Sequence, residues 1–204
     1  MKIIKMLGLA AVAAAALMAF VGAGVASASH DTVLCKKNVH PCRGADVYGQ
    51  GTQIHAELAT GHATLKAGFA NITCESSTVA GDTQSTTTPK GAIDVLKFEK
   101  CNATVNVLNN GSLQIHHTSG NKGNLVVEGT EVEVAIGSTS CVYGGKITTG
   151  LTVTGGSPAS MVANEASIPK LAGGFLCASP AKWTAHYKIT QPNPLHISTE
   201  TEGH

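Results

Sequence analysis

The sequence predicts an all-β fold, an antiparallel sandwich or partly open barrel of about 10–12 short, disulfide-stapled strands. Three observations predict it. Apolar and polar residues alternate in short runs from Thr52 onward, the period of a strand with one buried face. The runs are broken by Gly, Asn, Ser and Pro at the spacing of hairpin turns, in a chain with 23 Gly and 7 Pro. No amphipathic stretch is long enough for three helical turns.

Taken in order, Thr52 to Ala59 places Ile54, Ala56 and Leu58 on one face, and Thr64 to Phe69 repeats the pattern with Leu65, Ala67 and Phe69, across a turn at Gly61-His62. Runs follow at Ile72–Val79, Ala92–Phe98, Thr104–Leu108 and Leu113–Thr118. The Ser- and Thr-rich stretch Asp82–Lys90 reads as an exposed loop. Asn109-Asn110-Gly111 is a hairpin signal, because Asn and Gly accept the positive φ of tight turns. Leu125–Glu128 and Glu131–Ile136 suggest a second hairpin across Gly129-Thr130. In the latter run Val132, Val134 and Ile136 alternate with Glu131, Glu133 and Ala135, one face dry and one wet. Lys146–Thr154 and Met161–Ile168 flank a Gly155-Gly156-Ser157-Pro158 breaker. Trp183–Thr190 sets Trp183, Ala185, Tyr187 and Ile189 inward, before Pro192 and Pro194 force an extended exit toward Leu195–Ser198. Residues 29–51 read as an irregular lead segment tied by Cys35 and Cys42, and 52–204 as one domain.

Residues 1–28 read as a cleavable export signal. Lys2 and Lys5 precede an uncharged stretch from Met6 to Val25, which ends in Ala26-Ser27-Ala28, small residues that suit a signal peptidase. The stretch could also span a bilayer, but its Ala and Gly insert weakly. Beyond it no apolar run is long enough to cross a membrane. Without Lys2 and Lys5, 12 Lys and Arg face 13 Asp and Glu, a net charge near −1. With no basic cluster, nucleic acid and anionic membrane are disfavoured as partners. An unidentified surface or extracellular component is the expected partner, and exposed strand edges offer a route to self-association.

Six cysteines in an exported chain read as three disulfides. Local order suggests Cys35 with Cys42, Cys74 with Cys101, and Cys141 with Cys177, out of fifteen formal pairings. No two lie two to four residues apart, as structural zinc sites require, and oxidised cysteines are lost as ligands. No metal or other cofactor is expected.

No constellation commits the chain to a reaction, and no catalytic residue is assigned. Gly137-Ser138-Thr139-Ser140-Cys141 lacks the second glycine of a nucleophile elbow. Glu131 and Glu133 read as a solvated stripe rather than a glycosidase pair, and Asp94, Glu99 and Glu165 are single charges. His116 and His117 point to opposite faces of a strand, so they cannot share an ion. His55, His62, His186 and His196 could meet other groups across a sheet. Asn71-Ile72-Thr73, Asn102-Ala103-Thr104 and Asn110-Gly111-Ser112 match the glycosylation pattern. Trp183 and Tyr187 read as core rather than as a sugar platform.

Much of the chain past residue 72 resembles a broad group of small secreted proteins of actinobacteria. The matching residues are Thr73-Cys74, Ser76-Ser77-Thr78, Gly91, Ile93, Leu96, Phe98 and Cys101, then Thr154 to Ala159. The match ends with Trp183-Thr184-Ala185, Tyr187, Ile189-Thr190, Pro192, Pro194-Leu195 and Ile197-Ser198. The resemblance implies an all-β exported protein. Its motifs are strand and turn residues, so it transfers no site.

The expected function is therefore a noncatalytic module at or outside the cell envelope, structural, assembling or binding. A secreted hydrolase with a dispersed site and a carrier of small apolar ligands are the alternatives. A histidine within reach of a serine in a deep pocket would favour the first, and an apolar concavity the second.

Overall fold

The computed structural model describes residues 31–68, 70–86 and 89–200. The export signal read at 1–28 and the side chain of Phe69 lie outside them. Along the chain run β1 (Thr32–Cys35), a 3-10 turn (Gly44–Asp46), β2 (Gln53–Leu58), β3 (Ala63–Gly68), β4 (Asn71–Thr83), β5 (Lys90–Cys101), β6 (Thr104–Asn109) and β7 (Ser112–Ser119). They continue with β8 (Lys122–Ile136), β9 (Thr139–Ile147), β10 (Leu151–Thr154), β11 (Ala159–Ile168), β12 (Lys170–Gly173), β13 (Cys177–Gln191) and β14 (His196–Thr199).

Every ladder is antiparallel, and twelve strands join one sheet. Its order is β10, β11, β13, β2, β4, β5, β7, β8, and a further pairing of β8 with β10 brings it back to its start. The sheet thus closes on itself as a barrel. Closure removes most of the free edges that an open sheet would expose. Three strands are longer than the short-strand expectation, β4 with 13 residues and β8 and β13 with 15 each. Each runs the height of the barrel, and its partners divide that height between them. β13 pairs β3 through Cys177–Thr184 and β2 through Tyr187–Gln191.

This division corrects both hairpin expectations. β6 and β7 do not pair with each other; they lie end to end along β8, Thr104 opposite Ala135 and Ser112 opposite Glu128. β8 in turn is continuous across Gly129. Asn109-Asn110-Gly111 and Gly129 form a paired bend, with φ of 74° at Gly111 and 73° at Gly129. A Cβ on Gly111 would sit 2.4 Å from the Glu128 carbonyl oxygen, so only glycine lets the two strands cross there. Positive φ serves a bulged bend as well as a reversal, and the strand alongside decides between them.

The lead segment is more regular than expected. β1 pairs β14, Thr32 opposite Thr199, and all four β1 residues are buried. This two-stranded clasp lies across one end of the barrel, where Leu34, Leu195 and Ile197 join the main core. Asn121 fastens it, its Oδ1 accepting from the Ile197 amide at 2.7 Å. The Asp82–Lys90 loop is shorter than expected, since β4 continues to a buried Thr83 whose hydroxyl donates to Gly49 O at 2.8 Å.

Disulfides pin the rest. Cys35 bonds Cys42 beneath the clasp, Cys74 bonds Cys101 across β4 and β5, and Cys141 bonds Cys177 between β9 and β13. The outward face carries Lys97, Glu99, Lys188 and other polar side chains, all exposed, while Ala185, Tyr187 and Ile189 are buried inside. A barrel crossing a membrane has the reverse alternation, apolar outward. Among the described residues no helix is long and apolar enough to cross a membrane.

Candidate functional site

Inward-facing residues leave the barrel incompletely filled. A cavity of about 140 Å³ lies along the axis, walled by Ile93, Leu96 and Phe98 from β5, Val134 from β8, Met161 from β11 and Trp183 from β13. A second of about 60 Å³ continues toward the clasp, bounded there by Leu34 and Leu195. Val79, Ile93, Leu113 and Met161 line both, so the two share a wall.

A bulge in β5 shapes this lumen. Ile93 pairs Gly81 and Val95 pairs Ala80, which leaves Asp94 without a place in the ladder. The extra residue shifts the alternation, so that Ile93 and Leu96 both line the cavity, three residues apart. The Asp94 carbonyl that the bulge frees accepts from Asn110 Nδ2 at 2.7 Å.

The hydroxyls along the lumen are already engaged. Tyr187 and Ser77 share a buried hydrogen bond of 2.8 Å, and burial pushes the Tyr187 hydroxyl up to about 12. The Tyr143 hydroxyl donates to Ala67 O at 3.0 Å, and Thr130 Oγ1 donates to Asn110 O at 2.7 Å. Among the described residues no charged side chain lines the larger cavity. Among the described residues no buried side-chain nitrogen or oxygen lacks a partner. Such a space suits an apolar guest, and an unpaired charge within it would be costly.

The residues singled out in the sequence do not converge on a reaction centre. Ser198 Oγ and His40 Nδ1 lie 2.7 Å apart, the geometry of a nucleophile beside a base. Yet Ser198 is 1% exposed, its one hydroxyl proton is directed to Val39 O, and neither residue lines either of the two cavities described above. The pair anchors the clasp. His116 is exposed and His117 half-buried, its backbone amide donating to Thr32 Oγ1. His55 Nδ1 meets Thr190 Oγ1, and His196 Nδ1 meets Asn121. His62 and His186 are exposed. Among the described residues no group of three or more His, Cys, Asp or Glu is placed to hold a metal.

Glu133 accepts from Asn106 Nδ2 and Ser140 Oγ on the outer surface, and these bonds hold its carboxyl below the usual range. Glu165 pairs with Lys66, which lowers it likewise. Gly137-Ser138 is the tight turn between β8 and β9. Asn71 and Asn102 are exposed, but Asn102 bonds the Thr73 amide and the Asn71 carbonyl, and Asn110 is committed to the β5 bulge. Trp183 and Tyr187 face inward as core, and both line the lumen. That the lumen is hollow had no sequence signal, because alternation tells which side chains face in and not whether they fill the space.

No protein-family model, no curated protein and no solved structure matches this chain.

Proposed function

We propose that this chain is an exported, noncatalytic binding protein that holds a small apolar molecule inside its barrel. The observation that carries this reading is the hollow apolar lumen whose hydroxyls are already bonded within the protein. An unfilled space of about 140 Å³ forgoes roughly 3 kcal/mol of packing at the usual cost of cavity volume. That is a large share of the few to fifteen kcal/mol by which domains are stable. Apolar cavities on the order of 150 Å³ stay dry and accept a benzene-sized guest. A single ring or a short aliphatic chain is therefore the class of ligand.

Export rests on the leader read at residues 1–28 and is supported by the three disulfides, which persist in oxidising compartments. A hydrolase is disfavoured by the burial of Ser198 and by its absence from the walls of the two cavities described above. The broader role at the cell envelope narrows here to ligand binding.

Titration of 1-octanol tests the reading. Burying its eight-carbon chain contributes roughly 6 kcal/mol, a dissociation constant of about tens of micromolar before ordering costs. Ala163→Phe fills the lumen from β11, where Ala163 is buried against the cavity. Calorimetry should show saturable binding to the natural chain and none to this variant. Equal binding to both would remove the lumen as the site.

A further inference from the structure

β5 and β6 are joined by only two residues, Asn102 and Ala103, the spacing of a tight hairpin, yet they form no ladder with each other. Among the described residues the β5 backbone from Asp94 to Cys101 pairs with β4 alone, and β6 pairs with β8 alone. Two unpaired edges therefore face each other in the barrel wall. Both strands also turn side chains to the larger cavity, Leu96 and Phe98 from one and Val105 from the other. The slit opens beside the lumen.

Its two ends are fixed. At the bottom, Cys101 is bonded to Cys74, and Asn102 accepts from the Thr73 amide at 2.8 Å and donates to Asn71 O at 3.1 Å. At the top, Asn110 Nδ2 donates to the Asp94 carbonyl, and the Ile93 amide donates to Gly111 O at 3.1 Å, after which β5 rejoins β7. Both axial ends of the lumen carry cross-links between strands. The clasp covers one, and around the other Cys141–Cys177 and the Tyr143 bond to Ala67 draw β9, β13 and β3 together.

We infer that the ligand passes sideways through the slit between β5 and β6, and that the unpaired peptide groups of these strands hold its polar end. This rests on the binding reading proposed above. It adds to the ligand class an uncharged head able to both donate and accept a hydrogen bond, as an alcohol or amide does, because a strand edge offers N–H and C=O groups in alternation. The apolar tail lies in the lumen, whose hydroxyls are already bonded within the protein.

Trp183, the single tryptophan, lines the lumen and reports occupancy by its emission. Stopped-flow mixing of the full chain with 1-octanol, followed at this signal, gives association and dissociation rates. Asn110→Ala releases the upper pin and should raise both rates about tenfold with the dissociation constant changed less than about twofold, since a wider portal alters the barrier and not the bound state. Octanoate should bind at least about tenfold more weakly than octanol, because among the described residues no charged side chain lines the larger cavity to offset its carboxylate. Unchanged rates in Asn110→Ala, with octanol still lost from Ala163→Phe, would overturn the slit as portal while leaving the lumen intact. Failure of octanol to bind the natural chain would overturn the underlying reading itself. Sedimentation provides the remaining check, because a dimer dissociated by Asn110→Ala would mean that the slit edges serve a second copy, and the portal would be rejected.

Discussion

The rings of Phe98 and Trp183 meet edge to face across the lumen, centroids 5.3 Å apart and planes at 79°. Such a pair contributes about 0.5–1.5 kcal/mol beyond the area it buries. It also places the chain's one tryptophan against the cavity. An apolar guest must touch it. A chain bromine quenches indole emission at contact, so 8-bromo-1-octanol should quench Trp183 to a saturable limit, with a midpoint equal to its calorimetric dissociation constant. Quenching that rises linearly without saturation would place the bromine in solvent and not in the lumen.

Tyr187 and Ser77 make a second relation that can be measured, through pH. The Tyr187 hydroxyl is pushed from its ordinary 10 up to about 12 by burial, against the opposing bond from Ser77. A raised value means that folding favours the protonated form. Below pH 10 both folded and unfolded chains keep the proton, and the contribution is intact. Between pH 10 and about 12 the unfolded chain loses it first, and stability falls by roughly 1.4 kcal/mol per pH unit, or roughly 2–3 kcal/mol in all. Tyr187→Phe has no such proton to lose. Its denaturant midpoint should lie below the natural chain's at pH 8, since Ser77 is left buried with one partner fewer, and the gap should shrink toward pH 11.5. A gap independent of pH would refute the linkage.

Glycine at the β5 bulge has a mechanical role. Gly81 stands opposite Ile93, and a Cβ there would lie 1.9 Å from the Ala92 carbonyl oxygen, a backbone atom that cannot step aside. Gly81→Ala should therefore cost about 3 kcal/mol or more, the range of severe core substitutions. Gly49→Ala, where a Cβ meets nothing within 4 Å, should change stability by less than about 0.5 kcal/mol. Chemical denaturation of both variants decides the matter, and equal effects would mean that β4 and β5 can part at this point.

Legibility in the sequence followed the range of the forces involved. The run Trp183 to Ile189 reads correctly because its alternation is local, and Ala185, Tyr187 and Ile189 are all buried. The bend at Asn109-Asn110-Gly111 misleads because a positive φ at glycine serves a hairpin and a kinked strand equally, and the choice lies with β8, up to 31 residues away along the pairing of Thr104 with Ala135. β1 was hidden for a similar reason, since its partner is the last strand of the described chain. The phase shift at Asp94 carries no residue signature of its own. Without it Ile93 and Leu96 would face opposite sides, and the lumen would have a different wall.

The disulfides separate the stability of the barrel from the freedom of its slit. Cys74 and Cys101 are register partners across β4 and β5, and they close a loop with a separation of 27 residues; Cys141 and Cys177 close one of 36. By chain entropy each contributes roughly 3.5–4 kcal/mol, nearly the same for both. The paired replacements Cys74→Ala with Cys101→Ala, and Cys141→Ala with Cys177→Ala, should thus lower the melting temperature by similar amounts, about 10 °C for a domain of this size. Only the first pair frees the lower end of the slit between β5 and β6. Octanol exchange at Trp183 should accelerate several-fold in that variant and clearly less in the other, where the Tyr143 bond to Ala67 still ties β9 to β3. Equal acceleration in both would show that exchange follows global loosening of the barrel, and the slit would then have no separate role.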